Sequence, residues 1–254
     1  TLLIDTALAA AGGGTAGVGG TGNVGVVVKN TTAKVGKGTT IQARKAFELT
    51  AASSDVTVAP TAGFAGGGTA GVGGAIAATA VANTTQAYVE DGTSTSDRAK
   101  IAVSNGNLEV SADEFSSAWV VSGTGAGGGT AGVGGALSVG VNASTTQARI
   151  GDYTETDAAG TTSVTANSTE NVNSVAIAGG GGGAAGVVGS VSVDVVVSKT
   201  EAGIGEHAKV NQNAAITSAD QSVNVSATDR VISVAAAGSG AGGGAAGVGG
   251  SLAV

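Results

Sequence analysis

The ten residues AGGGTAGVGG at 11–20 return letter for letter at 65–74 and 126–135, and degenerate copies occupy 180–189 and 241–250. The starts at 11, 65, 126, 180 and 241 are separated by steps of 54, 61, 54 and 61, so two unequal half-units make a 115-residue superrepeat. Other columns obey the same spacing. A Thr-x-Ala-x-Val/Ile set recurs at Thr31/Ala33/Val35, Thr85/Ala87/Val89, Thr146/Ala148/Ile150 and Thr200/Ala202/Ile204. A second set, Phe47/Leu49/Ala51, Leu108/Val110/Ala112, Thr162/Val164/Ala166 and Val223/Val225/Ala227, has already absorbed the seven-residue difference, which therefore lies between the two sets. In the longer half-units that region reads VEDGTSTSDRAKIAVSNGN from Val89 and IGEHAKVNQNAAITSADQ from Ile204, polar stretches expected to form surface loops or bulges.

Helix is excluded by propensity, because six glycines in ten residues would each cost roughly 1 kcal/mol relative to alanine. The hydrophobic period is two. Val191, Val193, Val195 and Val197 alternate with Ser192, Asp194, Val196 and Ser198, and Leu137, Val139, Val141 and Ala143 alternate with Ser138, Gly140, Asn142 and Ser144. The expected arrangement places the aliphatic set inward and the polar set toward solvent. Parity runs through the glycine motif, since Val56, Val58, Phe64, Gly66, Gly68, Ala70, Val72, Gly74, Ile76, Ala78, Ala80 and Ala82 are all even. It slips between Ala82 and Thr85, and again between Ala143 and Thr146, where corners are predicted. On the same parity argument Trp119 is expected in the core and Tyr88 outside it.

Short strands, polar corners and recurring columns predict an all-β chain forming a parallel β-solenoid, one continuous array over residues 1–254. A 54-residue half-unit accommodates about three coils of about 18 residues, or a single wide, flattened coil. The glycines are assigned a structural role: Gly66, Gly67, Gly68, Gly71, Gly73 and Gly74, and their equivalents Gly127, Gly128, Gly129, Gly132, Gly134 and Gly135, are expected to face neighbouring backbone where a Cβ does not fit. The absence of an initiating methionine and of a signal segment, with ends that fall inside repeat units, predicts a window from a longer chain.

Composition bounds the chemistry. With 47 glycines and 2% aromatics, any core is thin and built of small side chains. A net charge of -7 without Lys/Arg clusters argues against nucleic acid. No cysteine is present, and His207 is the single histidine, so neither a zinc site nor a nucleophilic triad can be assembled, and His207 is expected in an exposed loop. The pairs Glu90-Asp91 and Asp113-Glu114 read as solvated charge, because sequence neighbours on strands point to opposite faces. No GxxxxGK[ST] follows the glycines, so no nucleotide site is expected, and no cofactor, metal or enzymatic activity is assigned. The uncharged run from Phe115 to Gln147 is too glycine-rich for a lipid-facing helix, and a membrane barrel should show aromatic girdles that one Trp, two Tyr and three Phe cannot supply. Sequon matches such as Asn30-Thr31-Thr32 and Asn167-Ser168-Thr169 are expected by chance in this composition.

The repeated glycine runs leading into strands such as GSVSVDVVVSKTEAGIG resemble, over essentially the whole chain, very large bacterial surface adhesins of the filamentous haemagglutinin and leukotoxin-like filamentous type. That resemblance implies a secreted or surface-displayed, non-enzymatic β-solenoid shaft of a Gram-negative-type bacterium. Two readings of function follow. The first is a stiff extracellular shaft, continuing a longer chain or self-associating into fibres, without membrane insertion. The second is a repetitive face that binds carbohydrate, host matrix or another extended surface such as a cell-surface ligand. An outward Thr-x-Thr array would favour the second, and the Thr-x-Ala columns do not supply it.

Overall fold

Each half-unit folds as one wide coil. The computed structural model, which describes residues 1–216 and 218–254, is built of strands, turns and bends with no helix among the described residues. A coil consists of a long strand, a tight bend inside the glycine motif, a second long strand returning over the first, and a short strand that closes the path. The front sheet contains β1 (Leu2–Ile4), β2 (Ala7–Gly13), β5 (Phe47–Gly67), β8 (Leu108–Gly128), β11 (Thr161–Gly182) and β14 (Ser222–Gly243). The back sheet contains β3 (Ala16–Val35), β6 (Ala70–Val89), β9 (Ala131–Ile150), β12 (Ala185–Ile204) and β15 (Ala246–Ala253). A short sheet of β4 (Thr40–Ala43), β7 (Lys100–Val103), β10 (Glu155–Ala158) and β13 (Lys209–Val210) joins them along one edge. All pairings are parallel and, in the two long sheets, each residue lies beside its counterpart one half-unit away: Leu2 beside Val56, Val58 beside Trp119, Ala70 beside Ala131. Of the two coil lengths left open by the sequence, the wide coil is the one formed.

The seven extra residues of the longer half-units sit at different corners. In the second coil most of them precede the short strand, because Val35 pairs with Val89 while Thr40 pairs with Lys100. In the fourth coil Glu155 still pairs with Lys209, and the insertion follows before Thr161 meets Ser222. Both loops leave the long-sheet register intact, which is why the columns survive alternating spacing.

Inside the coil the side chains grade in size along the strand. The inward series of β9 runs Gly132, Gly134, Ala136, Ser138, Gly140, Asn142, Ser144, Thr146, Ala148 and Ile150, all buried. At the bend the two sheets approach backbone to backbone. In the middle, polar groups bridge them: Ser138 Oγ donates to the Val120 carbonyl at 2.9 Å, Ser192 Oγ to the Ser174 carbonyl at 2.8 Å, and Asn142 Nδ2 to Ser116 Oγ. Where the short sheet opens a third side, there is room for an aliphatic core of Val89, Ile101, Val103, Leu108, Val110, Ile150 and Val164. That triangular end supplies most of the bulky apolar burial.

Three expectations are corrected by this wedge. First, the period of two is right but the side is reversed over much of the long strands: Ser138, Asn142 and Ser192 are buried, whereas Leu137, Val139, Val141, Val191 and Val193 point outward. The inner space near the bend is too thin for branched side chains, so the aliphatic set takes the outer face. Second, no corner lies at 82–85 or 143–146. β6 and β9 run straight through, and the inward series stays odd from Gly71 to Val89. What changes there is the chemistry of the inward residue, from small and polar to Thr, Ala and Val as the wedge widens. Third, Trp119 is 48% exposed on the outer front face. Tyr88 does point outward and is half-buried.

Candidate functional site

The glycine motif is the bend. In the third copy, β8 ends at Gly128, the chain turns at Gly129 and Thr130, and β9 begins at Ala131. The twelve glycines singled out by the sequence divide into three environments. Gly67, Gly71, Gly73, Gly128, Gly132 and Gly134 point inward against backbone: a Cβ on Gly128 would stand 2.8 Å from Ala70 Cα and 2.8 Å from the Thr69 carbonyl oxygen, and one on Gly132 would stand 2.9 Å from the Gly181 carbonyl carbon. Gly68 and Gly129 occupy the bend, where a Cβ would collide with the carbonyl of Gly14 or Gly68 in the preceding coil. Gly66, Gly74, Gly127 and Gly135 face outward, with no atom closer than 4.0 Å to a built Cβ.

The outward glycines of the back sheet make a feature that sequence reasoning missed. Gly20, Gly74, Gly135 and Gly189 stack in register and form the floor of an open cleft of about 410 Å³ over four coils, and Gly250 continues the column in the fifth. Ile76 and Leu137, two residues on in their strands, line one side of it; the Val18, Val72, Val133, Val187 and Val248 column is the next outward column toward the bend. The columns were legible as a two-residue alternation, but which face they occupied was not.

Charge collects at the opposite edge, where the long sheets meet the short one. Lys34 Nζ lies 2.6 Å from Glu90 Oε1, Arg149 reaches Asp91 at 3.0 Å and Asp152 at 2.7 Å, and Arg98 reaches Glu155 at 2.7 Å. The hydrogen bond from Lys34, followed by that from the Lys37 amide, holds the Glu90 carboxyl below its ordinary range. His207 is exposed in a turn with φ of 57° and stacks on Tyr153 at 4.7 Å between ring centroids. Among the described residues no three of His, Asp and Glu gather as a metal site. Two further acids are enclosed between the long sheets. Glu114, expected to be solvated, is buried, accepting from Asn83 Nδ2 at 2.9 Å and Ser168 Oγ at 2.7 Å. Glu170, fully buried, accepts at Oε1 from Ser144, Ser168 and Ser198, while its Oε2 has no partner. Burial pushes the Glu170 carboxyl above its ordinary value, and the three serine hydroxyls offset this only in part. Both carboxylates are enclosed between sheets, so their role is internal packing and hydrogen bonding.

Comparison with protein-family models, with curated proteins and with solved structures finds no match.

Proposed function

We propose that the chain is a structural, non-enzymatic repeat segment of an extracellular bacterial surface fibre, of the filamentous adhesin kind that its sequence resembles. The observation that carries this reading is the strict one-coil-per-half-unit register. Five successive glycine bends superpose along one axis, and coils of this geometry add to a stack without changing it. Parallel ladders of twenty or more residues in each long sheet bind neighbouring coils along their whole width, which suits a stiff element. The alternative of a threonine-rich binding face is weakened by the placement of its threonines, since Thr85 and Thr146 point inward and are fully buried.

Electron microscopy of arrays containing different numbers of superrepeats tests the reading. A shaft lengthens by about 4.8 Å per coil and keeps a width of roughly 70 Å, set by long strands of about 3.3 Å per residue. Particles whose length does not grow with repeat number refute it.

A further inference from the structure

In a chain with one tryptophan and three phenylalanines, the tryptophan and two of the phenylalanines stand exposed on the outer front face. Two of these rings share a strand. Trp119 and Phe115 are 48% and 38% exposed on β8, four residues and about 13 Å apart at about 3.3 Å per residue. Beside them on β11, one coil on, the outward residues are Thr169, Asn171 and Asn173, with Asn171 next to Ser117 and Asn173 next to Trp119. Asn167, at the end of that row, is held by Asp113, to which its Nδ2 donates at 2.8 Å. The half-buried Asn171 and Asn173 amides make no hydrogen bond to the protein among the described residues. The front face departs from its own repeat here. One superrepeat on from Trp119 stands Val234, and one superrepeat before Asn171 and Asn173 stand Val56 and Val58. Valine favours strands and asparagine is depleted from them, on a scale that spans about 1 kcal/mol. The stack therefore folds well with valine at these places, and nothing in its packing calls for an indole or an amide.

We infer that Phe115, Trp119, Asn171 and Asn173 form a binding site for an uncharged, extended glycan lying along the strands, across the stack. A pyranose ring has an apolar face of C–H groups and a rim of hydroxyls. The C–H groups meet the negative face of an aromatic ring. Each hydroxyl both donates and accepts, as a carboxamide does. The aromatic row of β8 and the amide row of β11, about 4.8 Å apart, offer these two chemistries side by side over the length of a short, straight oligosaccharide. The row from Phe115 to Trp119 and the row from Thr169 to Asn173 carry no charged outward residue, which matches a neutral sugar. Other occupants fit less well. Single-stranded nucleic acid also stacks on aromatic rings but needs a cationic groove, and the chain has a net charge of -7 with no Lys or Arg in either row. A bilayer surface calls for a continuous apolar face with basic residues beside it, and the amides interrupt any such face.

Isothermal titration calorimetry of the 254-residue chain with cellohexaose and with chitohexaose tests the site. The emission of Trp119, the single tryptophan, is a second readout. Binding of at least one hexasaccharide with a change in emission is expected. Trp119→Val, and Asn171→Val with Asn173→Val, place there a residue that the same columns hold elsewhere or a close relative of it, so the parent far-UV circular dichroism is retained. Each variant is expected to weaken binding about tenfold or more. No heat and no emission change with both sugars at about 5 mM, where a complex as weak as about 1 mM is mostly formed, overturns the site and leaves the shaft reading intact, because length per coil does not depend on it. Binding that the folded valine variants retain also overturns it, since the sugar then sits elsewhere. An emission change with heparin or with phosphatidylcholine vesicles, and with neither hexasaccharide, overturns it in favour of a charged glycan or a lipid surface.

Discussion

Gly127 and Gly128 are neighbours in one strand, carry the same side chain and are predicted to respond to alanine with opposite signs. A methyl group on Gly128 would lie 2.8 Å from both Ala70 Cα and the Thr69 carbonyl oxygen, and closer still to the Ala131 carbonyl oxygen. All three obstacles are backbone atoms, Ala131 across the bend of the same coil and Thr69 and Ala70 in the coil before, tied to each other by hydrogen bonds and sheet pairing, so relief requires reopening the bend or moving the preceding coil, not rotating a side chain. Overpacking of this kind costs about 1–3 kcal/mol, with the upper end expected where backbone must yield. A methyl on Gly127 meets nothing within 4 Å. There the substitution removes conformational freedom from the unfolded chain and stabilises by about 0.4–1 kcal/mol. Urea unfolding followed by far-UV circular dichroism and by the fluorescence of Trp119, in the same strand, measures both variants. The melting temperature moves about 2–4 °C for each kcal/mol in a chain of this size. Equal effects of the two substitutions, or a milder effect at Gly128, would refute the assignment of inward and outward glycines.

Leu108→Ala in the aliphatic end is expected to lose about 2–5 kcal/mol of stability in urea unfolding because Leu108 is fully buried there, whereas Thr50→Ala, at an exposed position, changes it by less than about 0.5 kcal/mol. Thr146→Val should be neutral or stabilising by about 1 kcal/mol, since its hydroxyl is buried without a partner; a clear loss in the same assay would mean that the hydroxyl is satisfied after all. Glu170 has a folded-state pKa above its ordinary 4.5, so its contribution to stability is most favourable below that value and is lost as pH rises through the folded value. Glu170→Gln removes this penalty, and its advantage over the parent chain in urea midpoint should be larger at about pH 7 than at about pH 4; a difference that does not grow with pH counts against a buried, raised carboxyl.

The class of fold, the repeat phase and the place of the insertion were legible because all three are encoded as spacing. Thr85 and Thr146 align at 61 residues in the sequence and pair at 61 residues in the sheet. The sidedness of the strands was not legible, and the reason lies in residues such as Val139 and Ser138. Alternation says that they face opposite ways, but assigning the inside to valine assumes that the interior is the roomier, drier side. Close to a glycine bend that assumption fails. The interior there is only as thick as hydrogen atoms and methyl groups allow, and a little farther along it is filled by hydroxyl and amide groups that bond across the gap. The same assumption holds at Val89 and Ile150, where the third sheet widens the space, so one rule succeeded and failed along a single strand. The burial of Glu114 and Glu170 was hidden for a related reason: as isolated carboxylates they read as solvated, and the stacking of front on back brings Asn83 to Glu114 and Ser144 and Ser198 to Glu170, while Ser168 reaches both from within the front sheet.

This sidedness also explains why the bend is copied letter for letter while the rest of the half-unit drifts. A strand in an ordinary half-buried sheet is constrained on its inner face, and substitutions accumulate on the outer one. In AGGGTAGVGG at 126–135, the inward residues Gly128 and Gly132 are fixed by opposing backbone and Gly129 by the carbonyl of the previous coil, whereas the inward column of Gly134 admits Val188 in the next coil. Those contacts place no limit on Gly127, Val133 or Gly135, which point outward. Gly127 and Gly135 face no opposing backbone, so among these glycines they are the positions at which alanine should be tolerated in folding.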